Sequence, residues 1–475
     1  MVSSSDRAGA STFRTTAPLV FAGLTYAVAQ TTIVPAIPQV QEATGADANS
    51  VAWVITGFFV SSAALTVVAG RMGDLFGKKT MLIVALSLFG IGAAVAASGS
   101  SLETVIAGRV IMGAAGGVFP LSFALLGETL PRDKAAFGMG LLSSMFGLGG
   151  ALGLPAGGVI TGHLGYQGLF WVSVVMTLLS LAAIIMFVPN TGRRATGRVD
   201  WAGALLLGVA LGGPLTAISR SEAWGWLSAP TLGLLGAGGL ALALLLVVEH
   251  RTRDPLIDFT LMRQRNMWIT NLTAFLVTVG MSTSFFLIPQ VVQLPAESGV
   301  GLGISVAHAG LFMLPSALGS MIAGPATGRA AARFGVRLPM AAGTVGTVAG
   351  LLVLGFGGPH EAAVLIGAAL TGLGGGTVYA VLPMIIADSV PVQHLGAANG
   401  VNTIVRHISM AISAQLAAAV LVMGTPPGSP YPTGGAFLAD FGGGALLGVC
   451  ALALIPLIQG RTRAAQPADP ASERV

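Results

Sequence analysis

The feature that most constrains this chain is a succession of apolar stretches of about twenty residues, separated by short segments that hold most of the charge. A stretch of that length can cross a hydrocarbon layer about 30 Å thick as a helix. Within lipid, only a helix or a closed barrel satisfies its own backbone. Between charged or Pro/Gly-rich breaks, the stretches fall at 17–37, 51–70, 81–99, 104–127, 136–160, 166–188, 201–219, 229–249, 268–289, 306–327, 338–357, 363–387, 399–423 and 436–458. The expected fold class is an all-α polytopic membrane protein with about fourteen transmembrane helices. Composition points the same way, because 9% of the 475 residues are charged where a soluble domain carries about a quarter. The 68 glycines and 25 prolines sit inside the apolar runs, where small residues let membrane helices approach closely.

Charge placement tests the helix count independently. Cytoplasmic connections of a membrane protein collect Lys and Arg. With both termini cytoplasmic, 20 of the 23 cations fall inside: Arg7, Arg14, Arg71, Lys78, Lys79, Arg132, Lys134, Arg193, Arg194, Arg198, Arg251, Arg253, Arg263, Arg265, Arg329, Arg333, Arg337, Arg461, Arg463 and Arg474. Arg109 and Arg406 fall within spans, and Arg220 alone falls outside. One missed span would invert every later connection. The run after Arg14 continues through Ile33 to Ile37 and is expected as the first spanning helix rather than a cleaved leader, although Ala27-Val28-Ala29 resembles a cleavage site.

An internal repeat sets the organisation. Gly70-Arg71-Met72-Gly73-Asp74-Leu75-Phe76-Gly77-Lys78-Lys79 aligns without gaps on Gly328-Arg329-Ala330-Ala331-Ala332-Arg333-Phe334-Gly335-Val336-Arg337. Gly116-Gly117 leading to Glu128-Thr129-Leu130-Pro131 is echoed by Gly375-Gly376 leading to Asp388-Ser389-Val390-Pro391. Both copies lie on one membrane side, which implies parallel halves of six helices with two surplus helices between them. The expected division is a tail at 1–16, a six-helix bundle at 17–190, a linker with two extra helices at 191–267, a second bundle at 268–460 and a tail at 461–475.

The segment from Gly70 to Lys79 resembles the cytoplasmic signature of the major facilitator superfamily, and the resemblance extends over nearly the whole chain. Its glycines suit a tight turn and close helix approach, Asp74 can face the positive N-terminus of a helix in the opposite half, and Lys78 can pair with Glu128. Gly70, Asp74, Gly77, Lys78, Lys79 and Glu128 are therefore the expected gating set. Gly149, Gly153, Pro155, Gly157 and Gly158 resemble the antiporter motif of exporters in that superfamily, with the proline one place later than usual. Arg109, flanked by Gly108, Gly113 and Gly116, resembles the family's helix-four motif, whose arginine the resemblance associates with proton coupling. Fourteen helices with these motifs most resemble the drug:proton antiporters of the EmrB/QacA kind. That family places an aspartate in helix one, where this chain reads Gln30-Thr31-Thr32-Ile33-Val34-Pro35-Ala36-Ile37-Pro38.

No Asp or Glu falls near the middle of a span. Asp74, Glu128, Asp200, Glu249 and Asp388 lie at inner ends, and Glu103, Glu222, Glu297, Glu361 and Asp440 at or near outer ones. The candidates for proton coupling are then Asp74, Arg109, Glu128 and His308, an imidazole being the side chain that titrates near neutrality. Gln30, Asn399, Asn402 and Arg406 are candidates for the substrate cavity, the last three sharing one helical face. A lone histidine such as His308 or His407 also suits a hydrogen-bonded structural role. A cation facing lipid costs several kcal/mol, so each arginine within a span is expected to face the protein interior or a wet cavity. Bridging backbone carbonyls of a neighbouring helix is there the structural alternative to a functional role.

Several chemistries are set aside. Gly77-Lys78-Lys79-Thr80 has Met72 where a phosphate-binding loop needs glycine, so no ATP-driven step is expected. Cys450 has no partner for a disulfide, no His/Cys set has metal spacing, and the Asn271-Leu272-Thr273 sequon lies within a span. The expected function is export of hydrophobic or amphipathic drugs, antibiotics or secondary metabolites by alternating access, in exchange for protons. It needs no cofactor beyond the proton gradient, and its partners are lipophilic solutes, protons and the bilayer, without nucleic acid or an obligate protein. Uptake or facilitated transport of a small metabolite is the alternative transport reading, and a non-transporting membrane sensor is the alternative from another class. The strong preference for Arg over Lys suits a GC-rich genome and hence a bacterial inner membrane.

Overall fold

A computed structural model describes residues 4–46, 48–51, 53–192, 200–252, 259–304 and 309–459. Among them, twelve stretches are long and apolar enough to cross a membrane. Two further crossings complete the set. The helical segment Arg132–Phe187 turns back on itself at Gly165, whose φ of 68° and ψ of 178° break the helix, and Leu314–Phe334 adds a shorter, Gly- and Ala-rich crossing.

The fourteen helices are α1 (Ser4–Thr31), α2 (Trp53–Phe76), α3 (Lys78–Ser98), α4 (Leu102–Thr129), α5 (132–164), α6 (166–187) and α7 (Trp201–Trp224). They continue as α8 (Ala229–Arg251), α9 (Arg265–Gln293), α10 (Leu314–Phe334), α11 (Arg337–Phe356), α12 (Glu361–Ser389), α13 (Leu395–Met423) and α14 (Gly434–Leu454). Hydrogen bonds fix the reversal at Gly165: Lys79 at the start of α3 donates to the Ile185 carbonyl near the end of α6 at 3.1 Å, while Gln167 at the start of α6 donates to the Gly99 carbonyl past the end of α3 at 3.3 Å.

The signature segment is mostly helix rather than a loop. Helix α2 runs on to Phe76, α3 begins at Lys78, and Gly77 alone makes the turn with φ 102°. Apolar periodicity stops at the first charge, but an Arg or Asp extends a helix readily once partners bury it, which is why the expected boundaries at 70 and 81 fell short. The aligned glycine of the second half, Gly335, turns between α10 and α11 with φ 78°, so the repeat in the sequence is a repeat of one backbone device. An L side chain pays about 1–3 kcal/mol for such a conformation. Gly77→Val is accordingly expected to destabilise the purified protein by about that much, seen as a lower thermal midpoint.

The two bundles meet along two seams, α2 against α13 and α5 against α10. The surplus pair α7–α8 lies over the first seam, where Val67 and Val68 of α2, Leu207 of α7, Leu245 of α8 and Ile404 of α13 bury one another. Arg220, the one cation placed outside from the sequence, belongs to α7. It lies in the penultimate turn of α7, buried, with its guanidinium carbon 4.8 Å from the Trp53 ring centroid and 5.9 Å from that of Trp224, and so it pins the surplus hairpin to α2. Cys450 is exposed on the outer surface of α14, which in lipid costs a small apolar side chain nothing.

Candidate functional site

At the cation-rich end of the molecule the halves approach backbone to backbone. A Cβ built on Gly70 of α2 would lie 2.7 Å from the Gly396 carbonyl carbon, and one built on Gly140 of α5 would lie 2.7 Å from that of Gly324. One built on Gly328 of α10 would lie 2.8 Å from the Phe137 Cα. Only glycine permits such approaches. Around them, Ala124 of α4 and Ile386 of α12 are sealed with Leu395 and Ala398 of α13 in a buried apolar cluster that bridges the halves.

A charged cluster lies in this closure. Asp74, fully buried near the end of α2, accepts from Gly396 N at 3.1 Å and from Ala397 N at 3.0 Å. Both N–H groups belong to the first turn of α13, in the opposite half, where the helix presents free donors and the positive end of its dipole. The arrangement follows from the sequence locally, since Gly396 has no side chain to hold the carboxylate away. Lys78 Nζ lies 3.1 Å from Asp74 Oδ1 and 2.5 Å from Glu128 Oε1, and it also donates to the Val392 carbonyl of the opposite half at 3.4 Å. Thr191 donates to Glu128 Oε2 at 2.8 Å. One ammonium thus serves two carboxylates and a carbonyl, with no side-chain exposure at either ion pair. Lys79, placed in the same set from sequence, stays within its own half on Ile185. The second half has Ala332 and Val336 at the positions of Asp74 and Lys78, so the charged cluster exists on one seam alone.

Arg109 and Arg406 lie deeper, one in each half, both buried. Arg109 donates from Nε to the Val54 carbonyl of α2 at 3.0 Å and from Nη1 to the Ala29 carbonyl of α1 at 3.2 Å, with its guanidinium carbon 4.2 Å from the Phe58 ring centroid. Its Nη2 has no hydrogen-bond partner. Arg406 donates to the Thr403 hydroxyl at 3.2 Å and rests against two rings, Phe146 of α5 at 4.7 Å and Tyr379 of α12 at 4.8 Å. Phe146 comes from the first half, so this contact also bridges the seam, together with the bond from Ser143 to the Tyr379 carbonyl at 3.0 Å. Among the described residues neither arginine has a carboxylate within ion-pair distance.

The antiporter-like segment lies on α5 against α1. A Cβ on Gly149 would sit 2.7 Å from the Ala27 carbonyl carbon, one on Gly153 2.8 Å from Thr31 Cβ, and one on Gly157 2.8 Å from Pro35 Cγ. Thr31 donates to the Gly149 carbonyl at 2.9 Å. Gly158 turns away and meets nothing within 4 Å. The side chain of Pro155 and all of His308 lie outside the described residues.

The cavity candidates are only partly brought together. Asn399 spends its amide on the Leu395 carbonyl of its own helix at 2.9 Å, and Asn402 donates to Asn271 of α9 at 3.0 Å, which also accounts for the asparagine of the sequon. Gln30 sits near Tyr26, whose hydroxyl is 2.6 Å from Ser62 Oγ, and its Nε2 has no partner. Asp440, expected near the outer end, lies about two turns into α14 and is buried, with Oδ2 unpartnered. Sequence reasoning missed the rings. Tyr26, Phe119, Phe146 and Tyr379 form a run across the interior, with Phe119 and Phe146 stacked 3.7 Å apart.

A family model described as the Major Facilitator Superfamily matches residues 19–298 and 270–474. The chain belongs to the major facilitator superfamily. It is 26% identical to Multidrug resistance protein Stp of Mycobacterium tuberculosis over 81% of this chain and 71% of that protein. It is 27% identical to the Tetracenomycin C resistance and export protein of Streptomyces glaucescens over 86% and 75%, and 28% identical to the Uridine/deoxyuridine transporter of Lactococcus lactis over 67% and 68%. In fold it is similar to a human organic anion transporter, with a TM-score of 0.68 at 17% identity over 94% of this chain and 99% of that one. A proton:xylose symporter of the same superfamily gives 0.67 at 14% identity over 95% and 97%. The protein is thus a multi-pass transporter of small molecules and not an enzyme.

Proposed function

We propose that this major facilitator protein exports hydrophobic or amphipathic small molecules, antibiotics or secondary metabolites among them, by alternating access in exchange for protons across a bacterial inner membrane. The observation that carries the mechanism is the buried Asp74–Lys78–Glu128 cluster docked on the start of α13. Taking the cation-rich end as cytoplasmic, the cluster closes the inner side and must open for solute to load. The solute class is supported by the relatives named for multidrug resistance and for tetracenomycin C export. The Gly149-Gly153-Gly157 ridge supports exchange, since it locks α5 to α1 as one moving body. On this reading Asp74 and Glu128 are the proton-coupling candidates nearest the gate, and Arg109 holds α1, α2 and α4 together during rocking.

The energetics suffice. One charge crossing about 100 mV supplies about 2.3 kcal/mol, and about 1.4 kcal/mol corresponds to a tenfold ratio, so one proton sustains a gradient of roughly fiftyfold. Inverted vesicles loaded by an imposed pH gradient are expected to accumulate a lipophilic dye, and collapsing that gradient is expected to abolish accumulation. Unchanged accumulation after collapse would remove proton exchange. The relative named for uridine and deoxyuridine keeps a second reading, uptake of a polar metabolite. Direction of flux in proteoliposomes separates the two.

A further inference from the structure

We infer that the solute taken up by the central pathway is an aromatic anion, seated on Arg406 between the two halves. This rests on the export reading and names its substrate class.

Each half carries one arginine deep in the bundle, and neither has a carboxylate within ion-pair distance among the described residues. The buried carboxylates Asp74 and Glu128 lie in the cluster at the cation-rich end and are already held by Lys78, and Asp440 lies about two turns into α14 with an oxygen free. Arg109 spends two donors on helix carbonyls, which fixes it as a brace. Arg406 is different. Its one hydrogen bond among the described residues goes to Thr403, one turn back on its own helix, and Nε is buried without a partner. The faces of Phe146 and Tyr379 stabilise a guanidinium through their quadrupoles, but they leave its net charge uncompensated. His407 follows it in sequence and adds no negative charge.

A guanidinium offers a planar fork that fits a carboxylate or sulfonate with two bonds, and Phe146 and Tyr379 make its surroundings aromatic. The rings come from opposite halves, so a solute held there bridges the parts that must rock. A cationic drug seated there would meet the charge of Arg406, and among the described residues no carboxylate lies within ion-pair distance of that guanidinium. The chemistry of the site therefore selects aromatic carboxylates, sulfonates and phenolates over aromatic amines.

The test compares two probes of similar size on the purified full-length protein in nanodiscs: 1-naphthoate and 1-naphthylmethylammonium, by tryptophan fluorescence. The wild type is expected to bind the carboxylate about tenfold more tightly or better, the scale of one charge-assisted pair. Arg406→Gln is expected to abolish that preference, Arg406→Lys to keep part of it, and Phe146→Leu to weaken both probes together. The wild-type comparison needs no variant, so a misfolded mutant cannot hide the answer. Equal binding of the two probes, or tighter binding of the ammonium, overturns the inference. So does an Arg406→Gln protein of native size-exclusion profile that keeps the preference. Vesicles that export a cationic dye on a pH gradient while binding shows no anion preference would sink this inference and leave export standing. Anion-selective binding without outward transport would do the reverse.

Discussion

Replacing Lys78 by methionine is expected to cost more than any other single change at the gate. The side chain keeps its length and loses its charge, leaving Asp74 and Glu128 buried beside each other with no cation between them. Removing one partner of a buried ion pair costs about 3–5 kcal/mol. On the proposed reading of this cluster as an inner gate, the loss falls on the closed state, because the Val392 bond and the Asp74 contacts to Gly396 and Ala397 join the two halves. At about 1.4 kcal/mol per decade, the balance between closed and open inner gates moves by roughly a hundredfold or more. Export in inverted vesicles is expected to fall by that order while the protein stays inserted and monodisperse. Adding Glu128→Gln to Lys78→Met is expected to recover part of the loss, because it removes one of the stranded charges. A Lys78→Met protein with wild-type export would mean that the cluster is ornamental.

The second large effect is expected along α5, and it discriminates between neighbouring glycines. Gly149→Leu forces a branched side chain into the backbone of Ala27, and overpacking of this kind costs about 1–3 kcal/mol or more. Gly158→Leu, nine residues further on, meets nothing within 4 Å and is expected to leave expression, thermal midpoint and export within error of wild type. The measurement is paired: both variants in the same efflux-deficient host, scored for resistance and for protein level. If both glycines fail alike, sequence resemblance to the antiporter motif explains more than packing does. If neither fails, the α1–α5 contact is not a working surface.

The contrast between these glycines shows what could be read before the structure. Periodicity and charge placement were enough for about fourteen helices, because lipid leaves a chain so few options; the expectation of two halves came from the internal repeat. The meeting of Asp74, Lys78 and Glu128 was expected from the resemblance of the segment from Gly70 to Lys79 to the superfamily signature, and the three side chains do lie together. What stayed hidden depends on rotation about a helix axis. Nothing in a run of small residues says that Gly157 faces α1 and Gly158 faces away. Nor did spacing alone distinguish Asn399, which bonds its own helix, from Asn402, which reaches Asn271. The extension of α2 to Phe76 and the burial of Arg220 were missed because charge was taken as a stop signal, while a buried partner lets helix and charge coexist. One signal for the aromatic run was present. Tyr26 and Tyr379 are two of four tyrosines and stand within spans, whereas tyrosine in membrane proteins gathers at the interfaces; a phenol away from water marks an interior built to receive it.

The most direct test of the account follows the inner gate itself. Cys450 is the only cysteine of the chain, so Cys450→Ser gives a background without thiols, into which Ala124→Cys places a single probe within the sealed cluster at the cation-rich end. Labelling by a water-soluble maleimide from the cytoplasmic side is then measured in three states: resting wild type, wild type turning over an exported dye, and Lys78→Met. The account predicts slow labelling at rest and fast labelling in the other two. Labelling that stays equally slow in all three, while export continues, would contradict it.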